Sequence, residues 1–130
     1  MRSLGKLFIA TALIEAGAGL SLAFLPALAI RLFLGVSEPS PEALIVGRLG
    51  GAGLLAIGVA FWLARDDGGS RSQLALLWGI LVYNIGACVV LATAALMMHV
   101  SGVALWPAVA LHTALTIWCA ASLHAWRSQA

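Results

Sequence analysis

Charge is what this chain has least of. Only 9% of its 130 residues are Asp, Glu, Lys or Arg, against roughly 25% in an ordinary soluble domain. A small soluble fold has a large surface for its volume, and so few ionic groups cannot cover it. Two cysteines are too few for the disulfide framework that holds small secreted domains together. Seven basic residues against five acidic ones leave a formal charge of +2 with no basic block, which argues against a nucleic-acid partner. Disorder is excluded by the opposite excess, since 62% of the residues are hydrophobic, far above what a chain without a core carries.

That excess is organised. The mean hydropathy is +1.04, and a helix needs about 20 apolar residues to cross a bilayer. Four stretches qualify: 7–25, 43–64, 73–100 and 104–126. Each is apolar around the whole helix rather than along one stripe, as lipid-embedded segments are. The expected fold is therefore an all-α integral membrane protein, a four-helix transmembrane bundle running up-down-up-down, in a single domain over 1–130.

The breaks between spans have physical causes. Pro26 lacks an N–H and ends or kinks the first span. The chain then stays apolar around Arg31 until Gly35. One helix over 7–34 would be about 42 Å long, too long for one crossing, so 27–34 is expected as a bent extension at the membrane interface. Ser40 and Pro41 form a cap and first helical position for the second span. Arg65-Asp66-Asp67-Gly68-Gly69-Ser70-Arg71 reads as a tight polar turn, and Ser101-Gly102 as the joint of a third–fourth hairpin. Arg2, Lys6 and the Ala27-Leu28-Ala29 triplet also fit a cleaved signal peptide. The apolar run exceeds a typical signal core and carries Glu15, so a retained span is expected.

Basic residues near span ends set the orientation. One side holds Arg2, Lys6, Arg65, Arg71 and Arg127, and the other holds Arg31 and Arg48. Both termini are expected in the cytoplasm, in a bacterial-type inner membrane. Trp62, Trp106 and Trp126 then fall near the interfaces, whereas Trp78 and Trp118 are expected deeper and packed.

The few polar residues within the spans are the informative ones, because a charge at bilayer depth costs at least about 2.5–3.5 kcal/mol. They are Glu15 in span one, Arg48 in span two, Tyr83 and Asn84 in span three, and His112 in span four. At about 1.5 Å per residue, Glu15, Asn84, His112 and Arg48 lie roughly 12, 16, 21 and 24 Å above the cytoplasmic edge. A shared polar cluster is allowed, with a direct Glu15–Arg48 contact at the limit of reach. Small residues flank these positions: Thr11, Ala12, Ala18 and Gly19 around Glu15, Gly47 and Gly51 around Arg48 with Gly50 and Gly53 beside them, and Ala108, Thr116 and Cys119 around His112. Such faces let another helix approach closely.

Each residue also has an ordinary reading. Glu15 can be a hydrogen-bonded carboxyl that stabilises the bundle. Arg48 can extend towards Glu38 or Glu42 at the surface. Asn84 can bridge helices, Tyr83 can simply pack, and His112 can be a buried neutral imidazole. Met97-Met98-His99 does not make a copper site, because adjacent helical residues do not face each other and no further soft ligand stands near. Cys88 and Cys119 differ in depth by over about 10 Å, too far for a disulfide. No metal or cofactor motif and no catalytic set is assigned.

The stretch Ala12-Leu13-Ile14-Glu15-Ala16-Gly17 resembles the first span of the small multidrug resistance transporters. The likeness covers that span alone. Where an aromatic cage would stand in span two, this chain has Gly50-Gly51-Ala52-Gly53, and the function of that family is not carried over. Three functions follow from the residues themselves. The first is a non-enzymatic binding or accessory subunit whose polar cluster (Glu15, Arg48, Tyr83, Asn84, His112) holds a small or lipophilic ligand or a membrane partner, as a homo-oligomer or within a larger complex in the lipid bilayer. The second is a small proton- or cation-coupled transporter with Glu15 as the exchanging group. The third is a membrane enzyme with Glu15 and His112 as acid and base.

Overall fold

The structure, a computed structural model, describes residues 2–128. It is all-helical over that range, with five helices: α1 Arg2–Phe24, α2 Pro26–Leu34, α3 Pro41–Ala64, α4 Arg71–Met97 and α5 Leu105–Arg127. Four of them, α1, α3, α4 and α5, are long and apolar enough to cross a membrane. At 1.5 Å per residue they measure about 34–40 Å, more than the roughly 30 Å of hydrocarbon.

The boundaries follow from local chemistry. Leu25 leaves helical geometry at φ −127°, and Pro26 takes the first position of α2, where its missing N–H costs no hydrogen bond. The expected extension over 27–34 is thus a helix of its own, starting at Pro26. It ends at Gly35, whose φ of +73° is a left-handed cap open to glycine, with its N–H donating to Arg31 O at 2.9 Å. Ser40 caps α3 ahead of Pro41 by accepting from the Ala43 N–H at 3.3 Å. Ser70 caps α4 in the same way, accepting from the Gln73 N–H at 3.2 Å.

The joint between α4 and α5 differs from the expected Ser101-Gly102 turn. Helix α4 stops at Met97, short of Val100, because Ala94 O accepts from the N–H groups of both Met98 and Val100 at 3.2 Å and His99 turns left-handed at φ +54°. The linker then folds onto α2. The Ala104 N–H donates to Leu32 O at 2.9 Å, and a Cβ on buried Gly102 would collide with the Leu32 and Phe33 backbone.

Packing divides the long helices into two pairs. Helices α1 and α3 touch backbone to backbone through Ala12, Ala16, Gly19 and Ala23 on one and Gly51 and Gly58 on the other. Gly50 and Gly53, expected on this same packing surface, face open space instead. Helices α4 and α5 pair through Asn84 with His112, and Cys88 with Val109 and Thr113. The shared apolar core joins the two pairs at one end, where Leu7 and Phe8 meet Phe61, Leu77, Cys119 and Leu123. Phe8 and Phe61 pack as a tilted pair with 4.7 Å between ring centroids.

Buried Gln73 fixes the turn at that end. Its Nε2 donates to Ala64 O at 2.6 Å and its Oε1 accepts from the Gly69 N–H at 2.9 Å, so one side chain serves both the end of α3 and the loop. Replacing Gln73 by leucine is expected to cost about 1 kcal/mol, since water at the membrane edge can serve part of what is lost. Reversible thermal unfolding in detergent measures it.

Candidate functional site

The buried positions of α1 recur at helical spacing: Leu7, Phe8, Thr11, Ala12, Glu15 and Gly19. That period turns Glu15 away from the surface, and it is 1% exposed. On α4 the buried row is Gln73, Leu77, Ile80 and Asn84, and on α5 it is Leu105, Ala108, Leu115, Cys119 and Leu123, with half-buried His112 on the same face. The three rows face a common interior, so the polar residue on each is directed there.

Four of the five expected residues come together. The Glu15 carboxyl on α1 lies near the Tyr83 side chain on α4. The Tyr83 ring stands edge-on to the His112 ring at 5.7 Å and 79°. His112 Nδ1 lies 2.7 Å from Asn84 Oδ1, and Asn84 Nδ2 donates to Ile80 O at 2.9 Å. Because Nδ2 is committed to that carbonyl, Oδ1 is the acceptor and His112 Nδ1–H the donor. A neutral ring then carries its free lone pair on Nε2. Tyr83, expected in the cluster although packing alone could explain it, stands between Glu15 and the Asn84–His112 pair.

Arg48 does not join them. It is exposed on α3 and makes no ion pair among the described residues. Gly51 and Gly58 define the face of α3 that meets α1, and Arg48 lies off that face. Glu15 and Arg48 therefore do not form a pair. Trp78 is a second departure: expected deep and packed, it is 44% exposed, with the Arg127 guanidinium 5.6 Å from its ring centre. Trp62 is likewise exposed, with Arg65 over its ring at 4.3 Å. Aromatic rings beside basic groups are the usual dress of a membrane–water boundary.

The sequence carried no signal for a groove that runs between α3 and α4. It has a volume of about 800 Å³ and is lined by Ala56, Ala60 and Phe61 on α3 and by Ala75, Gly79 and Tyr83 on α4. Its lining residues are apolar except for Tyr83 and Ser72. Phe61 and Tyr83 form its inner side, and behind them stand Phe8 and Glu15. The molecule is open here. Its 7798 Å² of accessible surface is about a fifth more than the ~6,500 Å² of a compact soluble protein of its mass.

The outward faces are mostly apolar. Leu13, Leu49, Leu63 and Val82 are each more than 60% exposed, and only 17% of the most apolar stretch of each of α3, α4 and α5 is buried. Faces of this kind are stable against acyl chains and not against water. The molecule is a helical membrane protein. Comparison with protein-family models, with curated proteins and with solved structures finds no match to the chain.

Proposed function

We propose that this is a small integral membrane protein that binds a lipophilic molecule in the groove between α3 and α4, without catalysing a reaction on it. The observation that carries the reading is the wall of that groove: an apolar trough of about 800 Å³ whose polar feature, Tyr83, rests against a buried carboxyl on its far side. Ligand sites are mostly apolar with a few placed polar groups, and this groove has that composition and lies in the usual range of size. The trough accepts an apolar body, and the Tyr83 hydroxyl can hydrogen-bond a carbonyl or hydroxyl at its end. His112, itself bonded to Asn84, packs edge-on against Tyr83.

In this reading the four long helices run up-down-up-down. The order of contacts supports that: Gly19 lies against Gly51 and Leu55 while Ala12 and Ala16 lie against Gly58, so numbers rise along α1 as they fall along α3. The basic residues favour both termini on the cytoplasmic side of a bacterial-type inner membrane. The protein acts as a homo-oligomer or as an accessory subunit of a larger membrane complex, which would cover part of its broad exposed surface.

Gly79 supplies the test. It lines the groove, and a Cβ there would meet nothing within 4 Å, so Gly79→Leu fills the trough without straining the fold. Titration of purified protein with the apolar fluorophore N-phenylnaphthylamine should give saturable binding, weakened at least about tenfold by Gly79→Leu, or about 1.4 kcal/mol. Equal binding by both proteins removes the groove as the site.

A further inference from the structure

Three hydroxyls in the described spans bond to their own helix. Ser21 donates to Gly17 O at 2.9 Å, Thr113 to Val109 O at 2.8 Å and Thr116 to His112 O at 2.8 Å, each to the carbonyl one turn back. This is how serine and threonine normally settle in a helix. Thr11 does not do so. It is 0% exposed, and its Oγ1 has no hydrogen-bond partner. One turn further along the same face, Glu15 Oε1 is also buried without a partner. In an apolar interior each unpaired polar atom costs about 1–3 kcal/mol, and residues four apart on a helix are neighbours. The two unpaired atoms lie one helical turn apart on the buried face of α1, near the Tyr83 side chain, beside an apolar core.

We propose that Thr11 and Glu15 form a binding site for a dehydrated monovalent metal cation of the size of sodium. The ligands are the carboxylate oxygens of Glu15 and the hydroxyl of Thr11, with the Tyr83 hydroxyl beside them. Hard cations take oxygen ligands, and the carboxylate of Glu15 and the hydroxyl of Thr11 are oxygen donors. The charge selects a monovalent ion. Glu15 is the one carboxylate here, and no group of three His, Cys, Asp or Glu residues among the described residues can hold a metal ion. One carboxylate with one monovalent cation is neutral, whereas a divalent ion would leave an uncompensated charge in a medium where that is expensive. Arg48, the one Lys or Arg placed within the depth of the spans, is exposed and does not pair with Glu15. The site is distinct from the groove: neither Thr11 nor Glu15 lines it. Tyr83 belongs to both, so a bound ion on one side of its ring and a lipophilic ligand on the other share a common wall.

The experiment compares thermal unfolding of the purified protein in sodium chloride and in choline chloride at equal ionic strength, together with equilibrium binding of radioactive sodium. Sodium well above its dissociation constant should raise Tm by roughly 5 °C, with one ion bound per chain. Thr11→Val and Glu15→Gln should each abolish both effects, and Thr11→Ser should restore them, because serine keeps the hydroxyl. Thr11→Val keeps the shape of the side chain and remains foldable even if Glu15→Gln does not. Absence of a sodium-specific shift in the unaltered protein, or an undiminished shift in Thr11→Val, overturns the proposal. N-phenylnaphthylamine binding should survive Thr11→Val, so loss of the cation site and loss of the groove are told apart.

Discussion

Replacing Gly51 by leucine is expected to force α1 and α3 apart and to cost on the order of 3 kcal/mol, in the upper part of the range for overpacked cores. A Cβ at this position would lie 2.6 Å from Ala23 N and 2.7 Å from Gly19 O. Both are backbone atoms, so no side-chain rotation relieves the collision and the helices themselves must separate. The gain in helix propensity from removing a glycine is at most about 1 kcal/mol and does not offset this. Separation would also remove the close approach at Gly58, whose Cβ would stand 3.0 Å from Ala12 O and Ala16 N. Gly50→Leu and Gly53→Leu provide the contrast, because both positions face open space and should leave stability unchanged or slightly raised. Unfolding of the three variants in detergent with increasing dodecyl sulfate measures the difference. If Gly51→Leu is as stable as Gly50→Leu, the backbone contact between α1 and α3 does not exist.

The glycines of α3 show what was legible in the sequence and what was not. Apolar runs of spanning length, a proline at 26 and a serine–proline pair at 40–41 are local signals, and they place the long helices to within a few residues. Gly47, Gly50, Gly51 and Gly53 crowd one stretch of α3, but a run of small residues does not say which of them a partner helix uses. That depends on the rotation of α3 about its axis, which is set by distant contacts such as Phe61 against Phe8. The same rotation decides Arg48. Its small neighbours suggested an inward face, yet Gly51 faces α1 while Arg48 is exposed. Glu15, Asn84 and His112 were legible because each lies on a helix whose buried row is regular. Tyr83 is among the polar residues of the spans, but its place between Glu15 and His112 is not legible, since an aromatic residue in an apolar span packs equally well in many settings. The groove between α3 and α4 could not be read at all. It arises from how far two helices diverge, and no pattern along either one encodes that.

Asn84→Leu is expected to destabilise the protein by about 2 kcal/mol, near the upper end for a hydrogen bond between helices in a membrane. The substitution removes the acceptor 2.7 Å from His112 Nδ1 and strands an imidazole N–H in a largely apolar interior. His112→Phe strands Asn84 Oδ1 in the same manner but preserves a ring against Tyr83. The double variant leaves neither partner unpaired, so it should be less destabilised than the sum of the two by about 1 kcal/mol. Additivity within about 0.3 kcal/mol would mean that the two side chains do not bond to each other. The cycle also reaches the proposed function through Tyr83, whose ring lies edge-on to His112 at 5.7 Å and lines the groove on its other side. A loosened His112 allows Tyr83 to tilt. N-phenylnaphthylamine affinity should therefore fall in Asn84→Leu and recover in the double variant, where phenylalanine at 112 packs without needing a polar partner. Recovery of stability without recovery of binding would separate the hydrogen bond from the groove and assign Asn84 and His112 to holding α4 against α5 alone.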